Sequence, residues 1–141
     1  HTRYHLYRAI IEGICLELYH GLVKMQKRSS VTVDELYAGG GGSSSPVVCQ
    51  IAADVFGLPV HRIQTHEASA VGCAMVAFIS QGVYGSYEDA IEHMVHKKDV
   101  FIPNEENHRT YMKIYGKAYS HLASRIKPIE KYLHHFQTGG H

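Results

Sequence analysis

The chain has 141 residues, of which 45% are hydrophobic, so it can build about one domain with an apolar core. Fourteen lysine and arginine residues nearly balance thirteen aspartate and glutamate residues, which leaves a formal net charge of +1. No basic stretch argues for a nucleic acid partner. The longest apolar run, residues 70–79, is too short to cross a bilayer, which argues against a membrane protein.

The three cysteines, Cys15, Cys49 and Cys73, are widely spaced and form no Cys-x-x-Cys pair. This pattern indicates neither a zinc site nor a disulfide framework. Each cysteine lies among apolar residues, so we predict three buried free thiols and a reducing, cytoplasmic location.

The first half of the chain alternates between helical and strand patterns. Apolar residues at steps of three and four predict that one face of a first helix is buried, namely Tyr7, Ile11, Ile14, Leu18, Leu22 and Met25. Residues 31–38 predict a short strand, which a run of glycines and serines separates from a second helix. Pro46 suits the first position of that helix, and Gly57 suits the residue after its end. Residues 59–65 predict a second strand.

The second half is mainly helical. A third helix is predicted over residues 66–81, with Glu67 as its cap, and Ser86 is the predicted cap of a short fourth helix. Asn104 begins a last helix, which Pro128 is expected to bend or break.

The order strand, helix, strand predicts a right-handed parallel unit, and hence an α/β fold with parallel strands flanked by helices. Two strands are too few to cover four or five helices, because a parallel sheet is buried on both faces. We therefore expect an incomplete domain whose first strands lie upstream, and the start at His1 without methionine agrees. Open sheet edges favour pairing with another chain, so a homo-oligomer is a further expectation.

The stretch GGGGSSSP lies after a parallel strand and before a helix, where open α/β sheets bind ligands. Backbone N–H groups at a helix start are unpaired, and glycines let a phosphate come close to them. We predict a nucleotide phosphate site made of Gly40, Gly41, Gly42, Ser43, Ser44 and Ser45. A plain strand-to-helix turn is the alternative, but such a turn needs only one or two glycines.

Two known phosphate-binding patterns fit this stretch poorly. No Gly-Lys-Ser/Thr follows, so it is not a Walker A loop. From Gly40 the pattern is Gly-x-Gly-x-x-Ser, with Ser45 in place of the third glycine of a dinucleotide fingerprint. Glu67 lies near the expected position of a ribose-binding acid, so an NAD-type site is the weaker alternative.

Four segments, in chain order, resemble the FGGY carbohydrate kinases, the family of xylulokinase, ribulokinase, gluconokinase and glycerol kinase. They are HLYRAIIEG at residues 5–13, GGGSSSPVVCQIAADVFGLPV at 40–60, EASAVGCAMVAFISQGVY at 67–84 and FIPNEENHRTYMKIY at 101–115. Together they cover nearly the whole chain, and their order makes the resemblance specific.

This resemblance implies a ribonuclease-H-like (actin-like ATPase) fold, with residues 1–137 forming most of a C-terminal nucleotide-binding domain and 138–141 a tail. It implies that ATP and Mg²⁺ are the cofactors, and that a missing N-terminal domain holds most of the sugar pocket. The family's catalytic aspartate would lie upstream, so no catalytic residue is expected here. By the same match, Gly40, Gly41 and Gly42 would line the phosphates and ribose, and Ser44 and Ser45 would lie toward the adenine.

The implied function is ATP-dependent phosphorylation of a sugar or polyol hydroxyl, and we expect the 141-residue piece alone to be inactive. A non-catalytic nucleotide-binding module is a second alternative beside the NAD-type site. The presence or absence of the upstream aspartate would separate it from a kinase.

The remaining candidates have simpler interpretations. His93 and His96 lack a third ligand in register, so no metal site is predicted. Arg8 and Glu12 are spaced for a helical ion pair, and His61 is predicted at the surface. The last helix has three tyrosines that we expect to pack in the core: Tyr111, Tyr115 and Tyr119.

Overall fold

The computed structural model describes residues 2–65 and 67–138. These residues form six helices, which are α1 (Arg3–Arg28), α2 (Pro46–Phe56), α3 (Ala68–Ser80), α4 (Tyr87–Met94), α5 (Glu105–Lys117) and α6 (Leu122–Thr138). The strands within the same residues are β1 (Leu36–Ala38), β2 (Val60–Ile63) and β3 (Lys97–Phe101). Two short 3-10 helices lie at Gly41–Ser44 and Tyr119–His121.

The strands form a mixed sheet in the order β1-β2-β3. β1 and β2 are parallel, with Leu36 opposite Val60, and α2 connects them as predicted. The prediction of two parallel strands is wrong in one respect, because β3 pairs with β2 in the antiparallel direction, with Phe101 opposite Val60. β3 was not predicted because it begins with the charged residues Lys97, Lys98 and Asp99. It lies at the edge of the described sheet, where charged residues are common.

α2 is the central helix and packs on both sides. Ile51 and Val55 contact Cys15 and Leu16 of α1 and Tyr111 of α5, which together form one core cluster. A second cluster joins the helix to the sheet through Cys49, Ala53 and Val60. Since α2 starts directly after the glycine-rich stretch, this packing fixes the position of the stretch relative to the sheet.

The predicted helix ends at α2, α4 and α5 are confirmed. Pro46 is the first residue of α2, and Gly57 ends the helix in the left-handed region, with φ of 66°. The Ser86 side chain accepts the Asp89 N–H at the start of α4. At α5, the Asn104 side chain accepts the N–H groups two and three residues further along the chain.

The buried face predicted for α1 is wrong. Four of its six residues are about half exposed or more, namely Tyr7, Ile14, Leu18 and Met25. The buried side chains are those of Cys15 and Leu16 instead. α1 carries apolar residues on more than one face, so periodicity alone does not select the face that packs.

Several local predictions also differ from the structure. β1 begins at Leu36 rather than at residue 31, and Cys73 is exposed. The His61 side chain is only 15% exposed, and its Nε2 lies 2.8 Å from Glu35 Oε2. Glu67 precedes α3, but its side chain makes no capping hydrogen bond.

The last predicted helix is divided into α5 and α6. α5 ends at Lys117, and Pro128 lies inside α6, so the break comes before Pro128. Thr138 is the last residue of α6, and the remaining tail residues, 139–141, lie outside the described residues.

Candidate functional site

The first two glycines of the stretch are required by the fold. A Cβ on Gly39 would lie 2.8 Å from the Ala68 Cβ at the start of α3, so any side chain there would clash. Gly40 has φ of 82° and ψ of 178°, a conformation available essentially to glycine alone. Gly39 therefore lets α3 come close to the chain, and Gly40 turns the chain after β1.

The next two glycines are not required by their neighbours. A Cβ on Gly41 or Gly42 would meet no atom within 4 Å, and both residues are exposed in the short 3-10 helix. The first N–H groups of a helix have no acceptor within that helix. The absence of side chains leaves the backbone open to close approach by an anionic group.

The serines stabilise the turn from within. Ser43 is buried, and its hydroxyl donates to the Gly40 carbonyl at 2.7 Å. The Ser44 hydroxyl donates to the Gly41 carbonyl at 2.6 Å. The Ser45 carbonyl accepts the Cys49 N–H and so starts α2. The structure therefore brings all six predicted residues, 40–45, into one turn between β1 and α2.

Arg62 on β2 supports this turn from the sheet, a role that the sequence alone does not predict. Its Nη1 donates to the Ser43 and Ser44 carbonyls at 3.3 and 3.2 Å. Nε and Nη2 of the same guanidinium donate to the Asp99 carboxylate on β3. An arginine in a short strand that begins and ends with the buried apolar residues Val60 and Ile63 is the signal that could have identified it.

Two apolar cavities flank the sheet and the turn. One, of about 310 Å³, lies between α1 and the turn and is lined by Ile14, Leu18, Gly42 and Ser43, among others. The other, of about 540 Å³, is lined mainly by apolar side chains of β1, β2, α3 and α4. Glu92 and Lys97 also line the larger cavity, whereas the described residues that line the smaller one, beside the turn, include no carboxylate and no histidine.

The turn itself offers donors rather than a catalytic acid or base. The nearby carboxylate of Asp99 is already paired with Arg62. Among the described residues, no group of three or more His, Cys, Asp or Glu side chains could hold a metal ion. His93 instead contacts Asp89, and the bond to its backbone carbonyl raises the pKa of His93. The first N–H groups of a helix are suited to contact a group with negative charge.

The predicted ion pair and packing roles in α1 and α5 are confirmed. Arg8 Nε donates to Glu12 Oε1 at 2.7 Å. The Tyr111 hydroxyl donates to the same Glu12 oxygen at 2.8 Å, which joins α5 to α1. Burial raises the pKa of Tyr111, and so does its bond to Glu12. Tyr115 and Tyr119 pack against the same cluster.

Within residues 2–65 and 67–138, no helix combines the length and the apolar character needed to cross a membrane.

Comparison with known proteins assigns the class. Residues 1–81, which include the whole turn, match the FGGY family of carbohydrate kinases, C-terminal domain. This match covers more than half of the chain, so the chain belongs to the FGGY family of carbohydrate kinases.

Individual relatives agree with this assignment. A xylulose kinase of Staphylococcus epidermidis is 32% identical over 116 residues, which are 82% of this chain and 23% of that protein. An L-xylulose/3-keto-L-gulonate kinase of Escherichia coli is 33% identical over 127 residues, or 90% of this chain and 25% of that protein. The chain thus spans about a quarter of the length of these relatives.

A solved structure supports the fold. The xylulose kinase of Rhodospirillum rubrum superposes with a TM-score of 0.75 and 29% identity, covering 92% of this chain and 26% of that one. The predicted ribonuclease-H-like, incomplete α/β domain is therefore confirmed, apart from the antiparallel β3.

Proposed function

We propose that this chain is the ATP-binding part of a longer carbohydrate kinase that phosphorylates a sugar or polyol hydroxyl. One observation carries the proposal. The turn after β1 contains two glycines that the fold requires, followed by two whose added Cβ would meet no atom, in a chain of a sugar kinase family. Exposed glycines at the start of a helix leave its first N–H groups open to a ligand, which is the role proposed for Gly41 and Gly42.

The residues of the turn fit a nucleotide in the following way. Gly40, Gly41 and Gly42 approach the phosphates and ribose, and Ser44 and Ser45 lie toward the adenine. The buried hydroxyl of Ser43 donates to the turn and supports its shape. Mg²⁺ would arrive with the nucleotide and neutralise phosphate charge, as phosphoryl transfer generally requires.

The chemistry divides between this chain and the rest of the kinase. The sugar oxygen bonds to the terminal phosphorus of ATP, the bond to ADP breaks, and the hydroxyl proton passes to a base. In this proposal the base, most of the sugar pocket and the second wall of the cleft belong to the N-terminal part of the longer protein. The 141-residue piece alone is therefore inactive, and the complete enzyme acts in the cytoplasm.

ADP release by the full-length protein with Mg-ATP, across ketopentoses, polyols and sugar acids, tests the activity. Stimulation of ADP release by one compound establishes the kinase and its substrate class. If no compound stimulates release while Mg-ADP still binds, either the substrate lies outside this panel or the protein is a nucleotide-binding module without this activity. If NAD but not Mg-ADP stabilises the protein against unfolding, the dinucleotide alternative is favoured.

Gly41→Asp tests the phosphate assignment separately. The new carboxylate would stand beside the phosphates, so kcat/KM for ATP should fall on the order of 100-fold or more through charge repulsion. Gly21→Asp is the matched control, because Gly21 is also exposed with no atom near its Cβ, but lies far along α1. Normal ATP kinetics in Gly41→Asp would remove the assignment.

A further inference from the structure

Arg62 and Asp99 connect the sheet to the glycine turn. Arg62 is on β2, Asp99 is opposite it on β3, and the guanidinium reaches across to the carbonyls of Ser43 and Ser44. The Arg62 side chain is only 11% exposed, so it is held between these partners rather than extended into solvent. Its guanidinium also lies 5.7 Å from the centre of the Phe101 ring.

The acceptors of Arg62 are the last carbonyls of the 3-10 helix Gly41–Ser44. Helix-end carbonyls lack partners within the helix and carry partial negative charge, which a cation stabilises. The planar guanidinium can serve them and a carboxylate at once, because its donors point in several fixed directions. A lysine ammonium cannot make the same set of bonds.

The turn needs such an anchor because of its composition. Glycine loses more conformational freedom on ordering than any other residue. Gly41 and Gly42 have no side chains to hold the turn, and a Cβ on either would touch nothing. If no other contact has already fixed the turn, ordering these glycines lowers the affinity of a ligand that binds their N–H groups.

We infer that Arg62, oriented by Asp99, is a positioning residue that pre-forms the glycine turn for nucleotide binding. The inference rests on the proposed function, since it assumes that the turn binds the nucleotide. Arg62 itself touches the carbonyl side of the turn through Ser43 and Ser44. Its loss should weaken nucleotide binding and leave the response to the sugar unchanged.

Kinetics and Mg-ADP binding by the full-length kinase test this inference. Arg62→Gln should raise both the KM for ATP and the Kd for Mg-ADP about tenfold, which is the effect of losing hydrogen bonds from one charged donor. The KM for the sugar should stay within about twofold of wild type. Arg109→Gln is the matched control, because Arg109 also donates to a backbone carbonyl, that of Glu105, but within α5.

Two further variants separate positioning from simple charge. Arg62→Lys keeps the positive charge, so it should bind Mg-ADP as tightly as wild type only if Arg62 acts by long-range attraction to phosphate. Such a restoration would overturn the inference. Asp99→Asn should weaken Mg-ADP binding less than Arg62→Gln does. The double variant should bind Mg-ADP as well as Arg62→Gln alone does. Fully additive effects would show that Asp99 does not act through Arg62.

The outcomes also separate this inference from the proposed function. If Gly41→Asp leaves Mg-ADP binding intact, the turn is not the nucleotide site and both ideas fail. If Gly41→Asp abolishes binding while Arg62→Gln matches Arg109→Gln, only the role of Arg62 is wrong. If Arg62→Gln raises the KM for ATP and the KM for the sugar equally, the cause is general destabilisation, and the positioning role of Arg62 is also wrong.

Discussion

Asn107 on α5 donates through its side-chain nitrogen to Asp54 Oδ2 on α2 at 2.8 Å. The other oxygen of Asp54 accepts the Asn104 backbone N–H and the Gln50 side chain, each at 2.8 Å. Asp54 is only 3% exposed, and burying a carboxylate is costly unless donors surround it. This set of bonds fastens the start of α5 to the helix that follows the glycine turn.

Asp54→Ala should therefore lower the free energy of unfolding by about 3 kcal/mol, because it leaves several donors without an acceptor. Asp54→Asn should cost less, since the amide keeps one acceptor oxygen. The shift of the denaturant midpoint measures both effects. The control is Asp34→Ala at an exposed carboxylate, expected within about 0.5 kcal/mol of wild type. Similar shifts for Asp34→Ala and Asp54→Ala would contradict the role of Asp54.

Neighbouring glycines in the turn should respond differently to the same substitution. Gly40→Ala forces a side chain into a conformation with φ of 82° and should cost about 1–3 kcal/mol of stability. Gly42→Ala adds a methyl group in open space and should change stability by about 0.5 kcal/mol or less. Denaturant unfolding of the two variants in parallel provides the comparison. A smaller loss for Gly40→Ala than for Gly42→Ala would show that the turn has another shape.

The sequence predicted best where local chemistry determines the structure. Pro46, Gly57 and Asn104 mark helix boundaries because their preferences act within a few residues. The glycine-rich stretch marks the break between β1 and α2 for the same reason, since glycine runs permit conformations that other residues rarely adopt. The family resemblance added the order of these elements in the whole chain.

The contacts that the sequence did not predict depend on residues far apart in the chain. Arg62 meets Ser43 and Asp99 only after β2 pairs with β3 and α2 folds back on the sheet. No local pattern encodes such a contact. The buried face of α1 was mistaken for a related reason, because the choice between its apolar faces is made by α2 and α5.

The three thiols should differ sharply in reactivity. Cys15 and Cys49 are 4% and 2% exposed, and burial raises the pKa of both thiols, so little thiolate forms at neutral pH. Cys73 is exposed on α3. Iodoacetamide should therefore label Cys73 well before the other two, as peptide mapping by mass spectrometry would measure. Unfolding in denaturant is the control, after which all three should react; early labelling of Cys15 in native protein would contradict its burial.

Glu35 gives a pH-dependent contribution beside β1. Its carboxylate accepts the Tyr37 hydroxyl at 2.9 Å and Lys97 Nζ at 3.2 Å, and it lies 2.8 Å from His61 Nε2. The Tyr37 hydrogen bond, followed by that of Lys97, lowers the pKa of Glu35. A lowered folded-state pKa means that the carboxylate contributes stability above its unfolded-state pKa, about 4.3 for glutamate. That contribution is lost as the pH falls through the folded-state value.

Glu35→Gln should therefore be less stable than wild type near neutral pH, and the difference should shrink as the pH falls below about 4. Unfolding midpoints of the two proteins across this pH range measure the difference directly. Asp34→Asn changes the adjacent exposed carboxylate and controls for the loss of one negative charge in this segment. A gap between Glu35→Gln and wild type that grows toward acid would reverse the sign and refute the assignment. A gap that closes as predicted would attribute the effect to the ionised carboxylate, because protonation of Glu35 removes its charge in wild type just as glutamine does in the variant.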